Sequence, residues 1–188
     1  MIRLSRGLVV LVFVIAGLLA AFAVVHLTQP GWYERFWHPL RYKEIVLGHA
    51  HNYDLDPALL AAVIYQESKF NADARSDRGA IGLMQLLPET AKGIAVRTGG
   101  SNFQVSDLYD PEINVRYGAW YLRHLLDKYG SERLALAAYN AGQANVDRWR
   151  AQGLPVQFSE TRDFVDRVEK LKSTYRSAYA SLRQQSDT

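Results

Sequence analysis

The sequence predicts an all-α domain over residues 41–188, preceded by one apolar helix within residues 1–40 that is long enough to cross a membrane. Three observations carry this. Through the body of the chain apolar residues recur at spacings of three and four, the period of a helix with one buried face. Asp-Pro pairs at 56–57 and 110–111 read as helix starts, with the aspartate as N-cap and the proline at the first helical position, where its missing N–H costs nothing. No segment alternates apolar and polar residues between turn signals, so a β-domain is not expected.

Residues 1–40 are of a different kind from the rest. Arg3 and Arg6 precede an unbroken apolar run from 7 to 25, about the ~20 residues that span a bilayer. Trp32, Tyr33 and Trp37 follow it, as in an aromatic belt at the membrane interface. Positive charge before the run places the body outside the cytoplasm. The length of the run and its aromatic flank favour a retained anchor. The small-x-small run Ala21-Phe22-Ala23 leaves a cleaved signal peptide as the alternative, and both readings give the same extracytoplasmic compartment.

In the body, residues 41–53 carry Ile45, Val46 and His49 at helical spacing, and a second helix opens at Asp56-Pro57. Residues 71–80 form a polar loop. Gly79 and Gly82 then mark close backbone approach or positive φ, followed by a short expected helix at 83–87 and another from 88 to about 97, stopped by Gly99-Gly100. Asp110-Pro111 opens a long helix to Tyr129, with Ile113, Tyr117, Trp120, Tyr121 and Leu125 on its buried side. Ser131 caps the next, which ends in Ala138-Tyr139-Asn140-Ala141-Gly142. A short helix at 144–151 and a long one from Ser159 past Tyr175 complete the domain.

Composition narrows the chemistry. The chain of 188 residues has no cysteine, which removes disulfides, thiolate metal sites, cysteine nucleophiles and a lipidated N-terminal cysteine. The net charge of +3 is spread thinly, without the basic, aromatic-interleaved cluster of a nucleic-acid surface. The five histidines are dispersed and form no His-Glu-x-x-His pattern, so a metal site is not expected. Attention falls on Glu67. It continues the stripe Leu60, Val63, Ile64 of the helix that opens at Asp56-Pro57, three and four residues beyond Ile64 and Val63. A glutamate in line with core residues is costly unless paired or protonated, and desolvation raises its pKa toward what a general acid needs. The alternative is a side chain that bends out to solvent at a fraying helix end.

Four stretches stand in order: Glu67-Ser68, Gly82-Leu83-Met84-Gln85-Leu86, Ala138-Tyr139-Asn140-Ala141-Gly142, and Glu160-Thr161-Arg162-Asp163-Phe164-Val165. With the Ser-x-x-Gly-Ala-x-Gly-Leu-Met-Gln run from Ser76 to Gln85, their order and spacing resemble the catalytic domain of the lytic transglycosylases, bacterial enzymes related in fold to goose-type lysozyme. The resemblance covers residues 42–175 and implies a single lysozyme-like domain. It also implies that Glu67 is the acid/base, that Ser76 lies near it, that Met84 and Gln85 line a sugar-binding groove, and that Tyr139 and Asn140 belong to the site. Phe164 stands where the family usually has tyrosine.

The resemblance further implies cleavage of the bond between N-acetylmuramic acid and N-acetylglucosamine in peptidoglycan, with peptidoglycan strands as the partner. Glycosidases commonly use two carboxylates. Asp73, Asp77 and Glu89 are the nearby candidates for a second, each in a context that suits a solvated surface role. One carboxylate suffices if the muramic acid 6-hydroxyl attacks its own anomeric carbon and leaves a 1,6-anhydro sugar, and the mechanism so implied needs no metal or organic cofactor. The rivals are a hydrolytic muramidase on the same fold and a catalytically silent peptidoglycan-binding module. Read without the resemblance, Tyr139 is a core aromatic, Asn140 a helix-end residue, Gln85 half-buried filler, Ser76 a turn residue, and Trp120 and Tyr121 core residues.

Overall fold

A computed structural model describes residues 6–28, 30–100 and 102–182; Arg3 lies outside them. The chain divides into two compact units, Met1–Pro39 and Leu40–Thr188.

The first unit holds α1, Arg6–Thr28, and α2, Gly31–Trp37. None of the residues of α1 is buried, and its composition and 23-residue length suffice to cross a membrane. On the short α2, Trp32, Phe36 and Trp37 are exposed, while Glu34 is buried and accepts from His38 at 2.9 Å.

The second unit is built from α3 (Lys43–Asn52), α4 (Pro57–Ser68), α5 (Pro88–Thr98), α6 (Pro111–Tyr129), α7 (Glu132–Ala141), α8 (Gln143–Ala151) and α9 (Ser159–Ala178). No β-strand occurs among the described residues, only isolated bridges Arg75↔Ile81 and Ile81↔Leu86. The caps read from the sequence form. Asp56 accepts from the N–H of Ala58 at 2.9 Å, Asp110 from that of Ile113 at 3.0 Å, and Ser131 from that of Leu134 at 3.5 Å. Such caps each contribute about 1 kcal/mol.

The helix α4 is the centre of the unit. Every residue from Pro57 to Ile64 is buried, so it carries no single stripe but is apolar all round, as an enclosed helix must be. The long α9 packs along it, and α3 lies beside it. Asp56, at its N-terminus, pairs with Arg176 and, at 3.3 Å, with Lys172, which also reaches Glu132 at 2.7 Å. These ion pairs join the start of α4, the start of α7 and the last turns of α9. At the other end, Lys69 and Phe70 both take left-handed backbone angles (φ 54° and 61°), an uncommon conformation for side chains of that size. Phe70 is held there by burial between Tyr65 and Tyr175, with ring centroids 6.4 and 6.3 Å away. The helix therefore stops immediately after Glu67 and Ser68.

The expected short helix at 83–87 does not form. Residues 81–86 make a tight turn in which the N–H groups of Ile81 and Leu86 each donate to the other's carbonyl, at 3.0 and 3.1 Å. Gly82 (φ 81°) and Gln85 (φ 47°) lie in the left-handed region, which a right-handed helix cannot include. The turn is held by the side chain of Asn114, fully buried on α6. Its Oδ1 accepts from the Met84 N–H at 2.8 Å, and its Nδ2 donates to the carbonyls of Ile81 (2.9 Å) and Leu108 (2.8 Å). A Cβ on Gly82 would lie 2.1 Å from Asn114 Nδ2 and 2.3 Å from the Leu108 carbonyl oxygen, so this position admits only glycine.

Replacing Asn114 by Ala strands a buried N–H and buried carbonyls. The expected loss is on the order of 3 kcal/mol or more, read as a fall in denaturant midpoint with unchanged slope. Gly82→Ala is expected to lower the midpoint comparably. A midpoint unchanged in both variants would refute the role given to this contact.

Candidate active site

The turn at 81–86, the end of α4 and the end of α7 meet around a cavity of about 540 Å³. Its lining includes Glu67, Ser76, Gln85, Tyr139 and Asn140, five of the six site residues predicted from the sequence.

Glu67 sits in the last turn of α4. The packing around it pushes its pKa well above the ordinary carboxylate range, to about 8, through desolvation of the charged form. It is half-buried, so the side chain stays open to the cavity while its surroundings remain poor in solvating groups. Next to it, Ser68 Oγ donates to the carbonyl of Leu83 at 2.8 Å and ties the end of α4 to the turn.

Tyr139 comes from the last turn of α7, and its hydroxyl donates to the carbonyl of Met84 at 2.7 Å. Burial raises its pKa well above the usual tyrosine value, and the charge of Glu67 raises it further, so it remains a neutral donor. Its ring packs against Tyr121 of α6 at a centroid distance of 5.6 Å. Tyr121, read from the sequence as a core residue, also lines the cavity. Asn140 Oδ1 accepts from the hydroxyl of Thr161, a residue buried in the first turn of α9, at 2.8 Å. This bond sets the amide's orientation and brings the fourth sequence stretch to the site. Gln85 Nε2 donates to the carbonyls of Ala74 (3.1 Å) and Gly82 (2.9 Å), which braces the turn against the polar loop. Ser76 Oγ accepts from the Ala80 N–H at 3.0 Å and shapes that loop's hairpin.

Met84 is placed otherwise than expected. Its side chain is fully buried and packs where a Cβ on Gly118 of α6 would stand, 2.2 Å from its Sδ, so it fills core rather than lining the groove. Only its backbone serves the site, through the bonds to Asn114 and Tyr139. Phe164 is likewise buried. Of the candidates for a second carboxylate, Asp77 lines the cavity and is exposed, whereas Asp73 and Glu89 are not part of the lining. Glu160, from the fourth of the sequence stretches, is a second exposed carboxylate in the lining. Among the described residues no cluster of three or more His, Asp or Glu side chains is placed to hold a metal ion.

Sequence reasoning missed Asn114 as the residue on which this geometry rests. Its signal was present: it stands four residues before Gly118 and eight before Leu122, in line with the buried side of α6, where an amide requires partners.

The sequence pattern of the Transglycosylase SLT domain matches residues 44–157. The chain belongs to this family. The transglycosylase region is 32% identical over 155 residues to the soluble lytic murein transglycosylase of Salmonella typhimurium, covering 76% of this chain and 24% of that protein. It is 34% identical over 146 residues to the membrane-bound lytic murein transglycosylase F of Cellvibrio japonicus, covering 71% of this chain and 28% of the relative. Among solved structures, the 70 kDa soluble lytic transglycosylase of Escherichia coli superposes with a TM-score of 0.71 at 29% identity, over 77% of this chain and 25% of that one. Lytic transglycosylase Slt of Pseudomonas aeruginosa, solved as an inactive Glu→Gln variant, gives a TM-score of 0.69 at 32% identity, over 76% and 25% of the two chains. The chain thus has the lysozyme-like fold of the transglycosylases and spans about a quarter of the length of these relatives.

The raised pKa of Glu67 has a thermodynamic consequence with a definite sign. The folded protein holds this proton more tightly than the unfolded chain. The associated stability is fully present below pH 4.5 and is lost as the pH rises through about 8. Glu67→Gln removes the ionisation. The variant is expected to match the native chain at pH 4 and to exceed it at pH 9 by on the order of 2 kcal/mol in denaturant unfolding. A native chain equally stable relative to the variant at both pH values would show Glu67 to be solvated.

Proposed function

We propose that the chain is a peptidoglycan lytic transglycosylase that cleaves the glycosidic bond between N-acetylmuramic acid and N-acetylglucosamine without consuming water. The observation that carries this reading is one desolvated carboxylate, Glu67, opening into a cavity lined by Gln85, Tyr139 and Asn140. At neutral pH Glu67 holds a proton, which it delivers to the bridging oxygen as the bond from that oxygen to the anomeric carbon breaks. The substrate's N-acetyl carbonyl stabilises the positive charge that develops. Glu67, now a carboxylate, takes the proton of the muramic acid 6-hydroxyl, whose oxygen bonds to the anomeric carbon and closes the 1,6-anhydro ring. The carboxyl group ends as it began, protonated.

One side chain therefore serves as acid and then base, and a second carboxylate is not needed. Asp77 and Glu160 are exposed in the cavity lining, and the hydrolytic alternative would draw on them. Tyr139 and Asn140 act as substrate-facing polar groups whose orientation is set by Met84 and Thr161. Gln85 and Ser76 belong to the same wall.

We further infer that residues 1–40 anchor the enzyme in a membrane through α1 and that residues 41–188 form the catalytic domain on the extracytoplasmic side. The length of α1, the absence of buried residues along it, the exposed Trp32 and Trp37 after it, and the likeness to a relative named as membrane-bound support this.

The test is digestion of purified peptidoglycan by the full chain in detergent, with the released fragments weighed. Products lighter by one water than the hydrolytic ones are expected. Fragments with ordinary reducing ends would replace the proposal by hydrolysis and direct attention to Asp77 and Glu160. Glu67→Gln is expected to retain the fold and to lose at least about a thousandfold in rate, the scale of a missing acid and base together. Near-native cleavage by that variant would remove Glu67 from the mechanism.

A further inference from the structure

The short helix α2 concentrates aromatic residues on one face. An α-helix advances about 100° per residue, so Trp32, Phe36, Tyr33 and Trp37 fall in that order within one arc of about 140°. Trp32, Phe36 and Trp37 are 57%, 74% and 54% exposed, and Tyr33 among them is half-buried. The rings brace one another edge to face, Phe36 against Trp37 at a centroid distance of 5.3 Å and Trp32 against Tyr33 at 6.1 Å. Away from the arc the helix is polar. Glu34 is buried there and accepts from His38 at 2.9 Å, and Arg35 stands exposed at the arc's edge. Outside α1, no other stretch among the described residues exposes three large apolar side chains within six positions. An exposed apolar patch with a polar border marks an interaction surface.

The chain itself limits what can cover this face. α1 ends at Thr28 and α2 begins at Gly31. Three peptide steps reach no further than about 11 Å. With α1 across the bilayer, α2 therefore begins in or beside the headgroup layer, which is roughly 5–8 Å deep on each side of the hydrocarbon. Trp and Tyr favour that layer, because the ring lies against acyl chains while the N–H or O–H stays hydrated. A helix with one aromatic face and a polar back lies in the plane of such a surface.

We propose that α2 is a second lipid contact, lying along the membrane surface with Trp32, Tyr33, Phe36 and Trp37 sunk among the headgroups and upper acyl chains. It fixes the point at which the chain leaves the bilayer, a constraint that a span alone does not impose. Only His38 and Pro39 separate it from Leu40, whose N–H donates to the Tyr179 hydroxyl at 2.9 Å, so the link from this contact to the catalytic unit is two residues long. The inference rests on the reading of α1 as a membrane span.

The experiment places the full chain in phospholipid vesicles whose acyl chains carry bromine either near the glycerol or near the chain ends. Tryptophan emission is read against the variant Trp32→Phe/Trp37→Phe, which keeps the aromatic face and allows the signal of Trp120 and Trp149 to be subtracted. The difference signal is expected to be quenched by bromine near the glycerol, less by bromine near the chain ends, and little by aqueous iodide. Phe36→Glu puts a charge on the arc, and is expected to weaken quenching by bromine and strengthen quenching by iodide. Quenching of the native chain by iodide and not by bromine would place the face in water. Quenching by neither would place it against a second copy or a protein partner, and stronger quenching from the chain ends would make α2 a continuation of the span. Each of these outcomes overturns the proposal, as would a Phe36→Glu variant quenched like the native chain. Extraction with alkaline carbonate reads α1 separately, and the native chain and Phe36→Glu should both stay with the vesicles. Release of the native chain would overturn the reading of α1, so the two failures are distinguishable.

Discussion

The side chain of Asn114 is the contact on which the rest of the site depends. One amide, fully buried on α6, supplies an acceptor to the Met84 N–H and donors to the carbonyls of Ile81 and Leu108. A turn with two residues in the left-handed region has few internal hydrogen bonds of its own, and a buried backbone cannot leave its polar groups unpaired. The amide replaces the ladder that a regular element would have provided. The other contacts follow from the position of the turn. Leu83 offers its carbonyl to Ser68 at the end of α4, and Met84 offers its carbonyl to Tyr139 at the end of α7. Small residues make the approach possible, Gly82 beneath the amide and Gly118 beneath the methionine.

The acidity of Glu67 follows from where its helix runs. The first two turns of α4 are enclosed on all sides, so the chain emerges into the cavity only at its C-terminal turn. There the carboxylate meets little solvent and also the negative end of the helix dipole, which disfavours a second negative charge. The cost in stability is offset by the apolar length of the same helix and by the ion pairs that hold its start to α9. The element that secures the domain is thus also the one that desolvates the acid.

Much of this was legible in the chain. Asp56-Pro57, Asp110-Pro111 and Ser131 announce helix starts through short-range chemistry, and all three cap as read. Glu67 stood out because a glutamate in register with Val63 and Ile64 conflicts with its neighbours. The segment 81–86 was not legible, because Leu83-Met84-Gln85-Leu86-Leu87 has the composition of a helix. What forbids one is a side chain 30 residues away, in the bond from the Met84 N–H to Asn114. Met84 was misplaced for the same reason. Once the turn forms, its side chain points at Gly118 and only its backbone faces the site.

The sequence by itself determined the helices of the body outside residues 81–86, where they begin, and that an apolar helix precedes them. These are consequences of periodicity and capping, which act within a few residues. The tertiary structure decided the conformation of residues 81–86, the assignment of Met84 to the core and of Tyr121 to the cavity, and the bond from Thr161 that orients Asn140. Each of those depends on hydrogen bonds or packing between residues far apart in the chain. Such contacts are selected by the enclosed volume and by the need to satisfy every buried polar group, and neither can be read from a local pattern.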